Sequence, residues 1–301
     1  MARISDTVRK LSSYRGLREK PEGFDAFWVA RAEHAAQARQ VTSAEVGLDS
    51  PAATYRQLAF PSTDGRMLRA RYVAPKCQGL VPTAVMFHDF GRGPRGWLHL
   101  TRFVAMGYAV LQLENRLWSG NVTEGWEAGP SGLAFAQVIS DALVTANVAL
   151  ALPKTDTAHV VAWGEGLGAA LAIDAAALVP SVRKVAACNP LPADFQAAFQ
   201  HNANKSLYAG LVSHFRVADP LAKDAQELFG VLDYVDTVNF SVKLGSDLLL
   251  GTGLMNDTSF VPGQFAIFNR ASCPKRQVRY PKWGHERIND FEDEVLRFLH
   301  P

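Results

Sequence analysis

A glycine-rich stretch near the middle of the chain carries the clearest chemical signal in the sequence. An apolar run of strand type ends at Trp163 and passes into a helix of small residues through three alternating glycines, Gly164, Gly166 and Gly168. This pattern is typical of a nucleophile elbow, a tight turn between a strand and a helix that presents one side chain to a substrate. We place Glu165 at the apex of this turn. A carboxylate at the apex predicts chemistry different from the acyl transfer of a serine or cysteine.

A histidine near the end of the chain is the candidate proton-transfer group. His285 lies in a Gly-His-Glu sequence between the last predicted strand and the last predicted helix. Asn256 and Asp257 follow an earlier predicted strand, from where a side chain could orient the imidazole. We therefore expect Glu165, His285 and the Asn256–Asp257 pair to meet in one catalytic site.

Asp89 follows another buried strand, and two interpretations of it stay open. It could pair with Glu165, so that one of the two carboxyl groups has a raised pKa. It could also be a surface aspartate that tolerates an unusual turn conformation. The carboxylates and histidines of the chain show no spacing typical of metal ligands, so we predict no metal site and no cofactor.

Alternating strand and helix patterns predict the framework that positions these residues. The first two strands form a hairpin around a Ser-Thr-Asp-Gly-Arg turn at residues 62–66. Further strands are predicted at 83–88, 108–113, 159–163, 182–188, 247–251 and 277–280, and helices at 21–39, 97–106, 135–152, 167–178, 220–232, 262–270 and 291–299. This alternation predicts an α/β fold with a doubly wound, mostly parallel sheet and an antiparallel N-terminal edge hairpin.

We predict two parts of unequal size. Residues 1–50 form a helical extension packed on the body, and residues 51–301 form the main α/β domain. Residues 192–240 interrupt the alternation of strands and helices, which predicts a cap insertion over the sheet. Helices without any role at the site are the alternative.

The composition limits the classes of partner. The 301 residues are 48% hydrophobic and 20% charged, and the formal net charge is +2. This balance gives no reason to expect nucleic acid or an anionic membrane, and no apolar run approaches the roughly 20 residues that cross a bilayer. The polar start lacks an apolar signal core, and the three cysteines are widely spaced. We therefore expect a cytoplasmic protein with reduced thiols that acts on a small molecule.

Segments along nearly the whole chain resemble the acetyl xylan esterase and cephalosporin-C deacetylase family of α/β-hydrolases. The matching segments lie at 21–28, 60–75, 86–91, 152–153, 232–236, 239–240, 253–255, 264–269, 280–281 and 284–286. The resemblance implies an α/β-hydrolase fold and small acetylated substrates. It also implies assembly into a ring-shaped homo-oligomer.

The implied catalytic residues are a serine at position 165, an aspartate at 256 and a histidine at 285. Only His285 is present, because Glu165 and Asn256 stand in the other two places, with Asp257 beside the latter. A Ser-Asp-His site with a neutral histidine carries one negative charge, and a Glu-Asn-His site carries the same. We interpret the carboxylate as moved to Glu165, where it faces His285 directly.

The neighbours of the elbow supply the remaining candidates. By resemblance, the backbone N–H groups of Phe90 and Gly166 are the oxyanion donors. Asp89 stands where the family carries glycine, and Trp163 also stands where the family carries glycine beside the elbow. With Arg116, which lies near an Asp-Arg pair of the family, these two residues are our candidates for substrate binding.

Three mechanisms stay open for such a site. Glu165 could be a carboxylate nucleophile, as aspartate is in dehalogenases and epoxide hydrolases of this fold, with His285 activating water. The two residues could instead form an acid–base pair for a non-hydrolytic reaction such as elimination, isomerisation or cyclisation. In the third, Glu165 only binds a ligand, and the protein is a catalytically silent binding or assembly subunit. The leading hypothesis is a small-molecule enzyme with altered chemistry, since residual esterase activity would need a different nucleophile.

Overall fold

A nine-stranded sheet forms the centre of the computed structural model, which describes residues 8–299. Its strands are β1 (Thr42–Glu45), β2 (Ala53–Pro61), β3 (Met67–Pro75), β4 (Val81–Phe87), β5 (Ala109–Glu114), β6 (Thr155–Glu165), β7 (Val182–Cys188), β8 (Asp247–Gly253) and β9 (Lys275–Tyr280). Their order across the sheet is β1-β2-β3-β5-β4-β6-β7-β8-β9. β1, β2, β3 and β5 pair antiparallel, and the other pairs are parallel. The predicted α/β-hydrolase sheet with an antiparallel edge is confirmed.

Helices cover both faces of the sheet. They are α1 (Phe24–Ala36), α2 (Trp97–Val104), α3 (Ala134–Ala151), α4 (Leu167–Leu178), α5 (Phe195–Gln200), α6 (Tyr208–Val217), α7 (Ala225–Leu232), α8 (Thr237–Ser241), α9 (Val261–Arg270) and α10 (Asn289–Leu299), with short 3₁₀ turns at Trp126–Ala128 and Asp233–Val235. Residues 8–11 are helical as well. α2 and α10 cover one face, whereas α1, α3, α4, α8 and α9 pack on the other. The central strands are apolar on both sides because both faces are covered.

The N-terminal segment is only partly helical, which corrects our expectation for residues 1–50. β1 lies in this range and pairs antiparallel with β2, so the segment adds an edge strand to the sheet. All four residues of β1 are exposed, and the strand therefore lacks the apolar alternation that predicts a strand. α1 packs on the body through Trp28, whose indole N–H donates to the Tyr234 carbonyl at 2.7 Å. Residues 1–7 of the predicted extension lie outside the described residues.

Helices α5 to α8 connect β7 to β8 and lie in the range of the predicted cap. Of these helices, the apolar periodicity predicted only α7. Helices α5 and α8 are short, and α6, whose buried Tyr208, Leu211 and Phe215 have helical spacing, was missed. The connection is tied to the N-terminal segment: the Tyr14 hydroxyl donates to Asp194, and Arg18 Nε donates to Asp233 at 2.6 Å. The role of residues 192–240 as a cap stays a prediction.

Helix α3 is long and apolar enough to cross a membrane, judged by length and composition alone. Most of its residues are buried against the sheet and neighbouring helices, among them Ile139 and Leu143. Within residues 8–299 no other helix passes the same test. The apolar character of α3 follows from its position in the core.

Two glycines allow the strand and the helix of the elbow to approach each other. A Cβ on Gly164 would lie 2.1 Å from the Gly168 carbonyl oxygen, and a Cβ on Gly168 would lie 2.1 Å from the Phe87 carbonyl oxygen. Both neighbours are backbone atoms, which cannot rotate away as a flexible side chain can. Glycine at both positions is therefore a packing requirement of β6, α4 and β4.

We expect Gly168→Ala to lower the free energy of unfolding by roughly 1–3 kcal/mol or more, because the methyl group must displace the backbone at the end of β4. Gly245→Ala is the matched control, since a Cβ at Gly245 would meet nothing within 4 Å. That variant should be neutral or slightly more stable. Urea unfolding followed by circular dichroism gives both values, and equal stability of the two variants would contradict the packing argument.

Candidate active site

The turn between β6 and α4 has glycine at its apex rather than glutamate. β6 continues to Glu165, which pairs in register with Cys188, and α4 begins at Leu167. Gly166, between them, has φ 57° and ψ −123°, a left-handed backbone that makes a sharp strand-to-helix turn. The expectation that Glu165 forms the apex is wrong by one residue. The reason is that the hydrogen bonding of β6 extends beyond the apolar run that marks the strand in the sequence.

The corrected register explains the alternating glycines. An elbow of the Gly-x-Ser-x-Gly type has glycines two residues before and two residues after its nucleophile. Gly164 and Gly168 take these flanking places, so Gly166 stands at the position of the nucleophile. Trp163 then precedes the motif instead of replacing one of its glycines. The nucleophile's position carries no side chain.

The carboxylate of Asp89 lies where a side chain at position 166 would project. A Cβ on Gly166 would be 1.8 Å from Asp89 Oδ1 and 2.2 Å from Asp89 Cγ. Oδ1 accepts the backbone N–H groups of Phe90 at 2.8 Å and Leu167 at 3.0 Å. In this fold the oxyanion hole consists of the N–H after the nucleophile and an N–H from a neighbouring loop. Asp89 thus fills both the place of the nucleophile and the oxyanion hole.

The backbone N–H of Gly166 does not point into the oxyanion hole, contrary to our expectation. This N–H donates to the Cys188 carbonyl at 2.9 Å and closes the end of β6 against β7. Since the apex is at 166, the donor's position moves one residue along the chain to Leu167. Phe90, the other expected donor, does point its N–H at this place.

His285 hydrogen-bonds Asp89 and not Glu165. Its Nε2 lies 2.9 Å from Asp89 Oδ2, so the carboxylate makes the contact that a serine hydroxyl makes with a catalytic histidine. Only 5% of the Asp89 side chain and 14% of the His285 side chain are exposed. The surface-turn interpretation of Asp89 and the direct Glu165–His285 contact are therefore both wrong. The loop after β4 turns Asp89 inward, whereas Glu165 points to the same face of the sheet as Trp163, two residues before it.

Asn256 determines which nitrogen of His285 carries the proton. Its Oδ1 accepts the N–H groups of Thr258 at 3.0 Å and Ser259 at 2.8 Å. The Asn256 Nδ2, 3.2 Å from His285 Nδ1, is therefore the donor of that pair. Nδ1 must accept, so the single proton of a neutral ring is on Nε2 and donates to Asp89. A Ser-His-Asp triad uses the opposite tautomer, with the proton on Nδ1 and Nε2 as the base.

Two predicted site residues have other partners. Asp257 is 66% exposed and pairs with Lys205 at the surface, so it does not replace an aspartate beside the histidine. The turn after β8 directs Asn256 inward and Asp257 to solvent. Arg116 donates to both carboxylate oxygens of Asp141 and, at 2.8 Å, to Asp64. These two carboxylates engage its guanidinium, which holds the loop after β5 on α3. Arg116 also lines a cavity that borders Phe90 and Leu167.

Glu165 lies in a basic environment on the α2 side of the sheet. Its Oε2 accepts from Arg95 Nη2 at 2.6 Å, and its Oε1 is 3.9 Å from Arg287 Nε. Burial, together with the charge of Glu292, raises the pKa of Glu165 to about 7. The guanidinium charges of Arg92 and Arg102 act in the opposite direction because they favour the charged carboxylate. Glu165 therefore takes up a proton near neutral pH.

The arrangement around Asp89 is a closed set of hydrogen bonds. Both carboxylate oxygens and both ring nitrogens of His285 have protein partners. A cavity of about 750 Å³ borders Phe90 and Leu167, so a substrate carbonyl that entered from it would compete with a bound carboxylate for the oxyanion hole. Among residues 8–299, no three His, Cys, Asp or Glu side chains are grouped as metal ligands.

Arg95 and Leu167 are the site residues that sequence reasoning missed. The spacing of the Gly-x-Ser-x-Gly motif, applied with Gly166 at its centre, identifies the N–H of Leu167. Arg95 ends a basic Arg-Gly-Pro-Arg loop, whose charge suits an anionic ligand, although such a loop is more often a solvated turn.

Comparisons with known proteins show which family and which solved structures this chain is similar to. The family model described as acetyl xylan esterase (AXE1) matches residues 1–301. Acetyl xylan esterase 1 from Thermoanaerobacterium sp. JW/SL YS485 has a TM-score of 0.93 at 25% identity, over 97% of this chain and 98% of that one. An acetyl xylan esterase from Paenibacillus sp. R4 has a TM-score of 0.89 at 21% identity, with the same coverage of 97% and 98%. The Pyrococcus horikoshii acylaminoacyl peptidase shares the fold over 78% of this chain and 38% of its own, with a TM-score of 0.59 at 16% identity.

The family match covers the whole chain, and its solved relatives align with nearly all of it. The chain also has the two flanking glycines of the elbow motif, Gly164 and Gly168, and a histidine, His285, after the last strand. This chain belongs to the acetyl xylan esterase (AXE1) family of α/β-hydrolases.

Proposed function

We propose that this chain binds a small molecule and does not hydrolyse esters by the serine mechanism of such a fold. The contacts of Asp89 carry this proposal. One carboxylate oxygen takes both N–H groups of the oxyanion hole, and the other takes the histidine proton. The groups that an acyl transfer needs are thus engaged within the protein itself.

The exchange of side chains between positions 89 and 166 supports the proposal. The family resemblance implies glycine at 89 and the motif implies serine at 166, whereas this chain has Asp89 and Gly166. A serine Cβ at 166 would lie 1.8 Å from Asp89 Oδ1, so the two side chains exclude each other. A site that had lost only its nucleophile would leave the N–H groups of the hole without an acceptor from the protein. Asp89 supplies that acceptor.

The tautomer of His285 is the second support. A general base at Nε2 needs a lone pair there, but the Asn256 amide places the lone pair of the ring at Nδ1. In serine proteases the same aspartate-to-asparagine exchange lowers kcat by about 10⁴, because the histidine takes the wrong tautomer. The Glu165–His285 acid–base pair has no geometric support either, so it is not proposed again.

The family acts on small molecules, and we expect the ligand of this chain to be one, with no cofactor. Binding of nucleic acid or of a membrane is not part of the proposal. Assembly into a homo-oligomer and a cytoplasmic location stay predictions from the sequence.

The exchange of side chains between positions 89 and 166 predicts that reversing it will produce esterase activity. The triple variant Asp89→Gly, Gly166→Ser, Asn256→Asp should react with a fluorophosphonate at residue 166 and turn over para-nitrophenyl acetate. It clears the oxyanion hole, adds a hydroxyl nucleophile and restores the tautomer of a triad. Gly166→Ser alone should stay unlabelled, because Asp89 fills the space and the hole. Intact-protein mass spectrometry measures the label, and circular dichroism verifies that each variant is folded.

The wild-type protein is the matched control, and we expect neither label nor turnover above background. Turnover by the wild-type protein that disappears in His285→Ala would contradict the proposal. A folded triple variant that does not react with the fluorophosphonate would show that the side chains at positions 89 and 166 are not the reason why the site lacks serine-type esterase activity.

A second candidate function uses the same contacts of Asp89. A carboxylate with one oxygen in an oxyanion hole can attack a saturated carbon with its other oxygen, forming an ester and expelling a halide. Water then attacks Cγ, the hole stabilises the negative charge on Oδ1, and cleavage of the Cγ–O bond releases an alcohol and restores the carboxylate. His285 would take the proton of that water, which requires the tautomer that Asn256 disfavours. We prefer the binding function for this reason.

Isotope labelling distinguishes the two candidates. The wild-type protein is incubated with 1-bromobutane in H₂¹⁸O, and the peptide that contains Asp89 is weighed by mass spectrometry. The binding function predicts no butanol and no ¹⁸O in this peptide. Butanol together with ¹⁸O at Asp89 would show that the carboxylate is a nucleophile, and Asp89→Asn should then abolish both signals.

A further inference from the structure

A second cavity, of about 300 Å³, lies on the α2 side of the sheet. The loop after β4, the start of α2 and the ends of β5 and β6 surround it, with Gln112, Trp163, Glu165, Arg95 and Arg287 in its walls. We propose that this cavity binds a small carboxylate that carries a second hydrogen-bonding group, such as a hydroxy acid. Gln112, Arg95 and Arg287 make no contact with the Asp89–His285 pair, so the inference does not rest on the proposed function.

Two buried polar side chains in the walls point to a ligand. Gln112 has no exposed surface, yet neither its amide nitrogen nor its amide oxygen has a hydrogen-bond partner among the described residues. The indole N–H of Trp163, which is 2% exposed, also lacks one there. Buried polar groups in folded proteins are nearly always paired, and an unpaired one destabilises the fold. A ligand with a hydroxyl or carbonyl group would pair them.

The charged side chains that line this cavity favour an anionic ligand. The guanidinium groups of Arg92, Arg95 and Arg287 outnumber the carboxylates of Asp89 and Glu165 by one. Arg92 donates to the backbone at the other site and Arg95 pairs with Glu165. Arg287 approaches Glu165 only to 3.9 Å and makes no closer polar contact among the described residues. Its planar group is suited to bind a carboxylate with two parallel hydrogen bonds.

Glu165 competes with such a ligand for Arg95, which makes binding depend on pH. The titratable and charged groups that face Glu165 come from four parts of the fold. They are Asp89, Arg92 and Arg95 from the loop after β4, His99 and Arg102 from α2, His285, Glu286, Arg287 and Glu292 from α10 and the loop before it, and Cys188 from β7. Burial lowers the pKa of His99 to about 4, so this ring stays neutral. The pKa of Glu292 is raised by burial but lowered further by its hydrogen bonds from Arg102, and it stays charged.

The direction of the pH effect follows from the pKa of Glu165, which burial raises to about 7. Above that pH the ionised Glu165 holds Arg95, and below it the protonated side chain releases Arg95 and can donate a hydrogen bond to the ligand. Affinity for a carboxylate should therefore rise as the pH falls through neutrality. One proton taken up on binding gives about a tenfold difference between about pH 8 and about pH 6.

Isothermal titration of the full chain with lactate, 3-hydroxybutyrate and the neutral analogue lactamide tests this inference. We expect a hydroxy acid to bind, lactamide to bind at least about tenfold more weakly, and the pH difference to appear. Glu165→Gln should remove the pH dependence. Arg287→Met should weaken binding by about tenfold or more, whereas the control Arg183→Met, an exposed arginine at the opposite end of β7, should leave binding unchanged.

Gln112→Leu separates a binding role from a structural one. Leucine fills a similar volume without polar atoms, so this variant should lose hydroxy-acid affinity by about tenfold and melt at a higher temperature than the wild-type protein. A merely structural glutamine would give a lower melting temperature and unchanged binding. That result, or the absence of hydroxy-acid binding at both pH values, would overturn the inference. Binding that survives in Arg287→Met would do the same.

Discussion

The hydrogen bonds of one buried carboxylate, Asp89, join the parts of this protein that meet at the elbow. They connect the loop after β4 to the start of α4 through the N–H of Leu167, and to the loop before α10 through His285. The N–H of Phe90, within the loop itself, donates to the same carboxylate oxygen. The space for the carboxylate exists only because Gly166 has no Cβ. Removing the carboxylate would leave two buried N–H groups without an acceptor, a loss of roughly 1–3 kcal/mol for each. The packing of the elbow and the occupation of the oxyanion hole thus depend on the same contacts.

The substitutions at the site are complementary in charge and in hydrogen bonding. A triad with a neutral histidine carries one negative charge, and so does the set of Asp89, Asn256 and His285. The carboxylate that contacts His285 is thus in the loop after β4, and not at the end of β6 where we expected it. Asn256 donates to one side of the imidazole, which leaves the ring proton for Asp89 on the other side. Glu165, which the sequence placed at the centre, instead neutralises Arg95 in a separate basic cavity.

Sequence patterns predicted the framework better than the site. The alternation of strands and helices gave the parallel sheet, and small residues marked α4 with the bounds that the structure has. β1 was missed because a strand with four exposed residues has no apolar signature. At the site, His285 and Asn256 were found in contact as expected. The predicted apex, Glu165, is one residue before the observed one, Gly166. The reason is that β6 ends where its hydrogen bonds to β7 end, and the pattern of apolar residues does not indicate those bonds. The inward turn of Asp89 depends on contacts with residues far away in the sequence.

The central claim is that His285 donates its proton to a carboxylate in the place of the nucleophile and so cannot act as a base at Nε2. The ¹⁵N chemical shifts of the His285 ring, measured by NMR on histidine-labelled protein, test it most directly. His285→Gln identifies the signal, and Asn256→Asp provides a reference for the opposite tautomer. The account predicts a protonated Nε2 and an unprotonated Nδ1 in the wild-type protein, with the proton shifted to Nδ1 in Asn256→Asp. A wild-type ring with its proton on Nδ1 and a free Nε2 would contradict it.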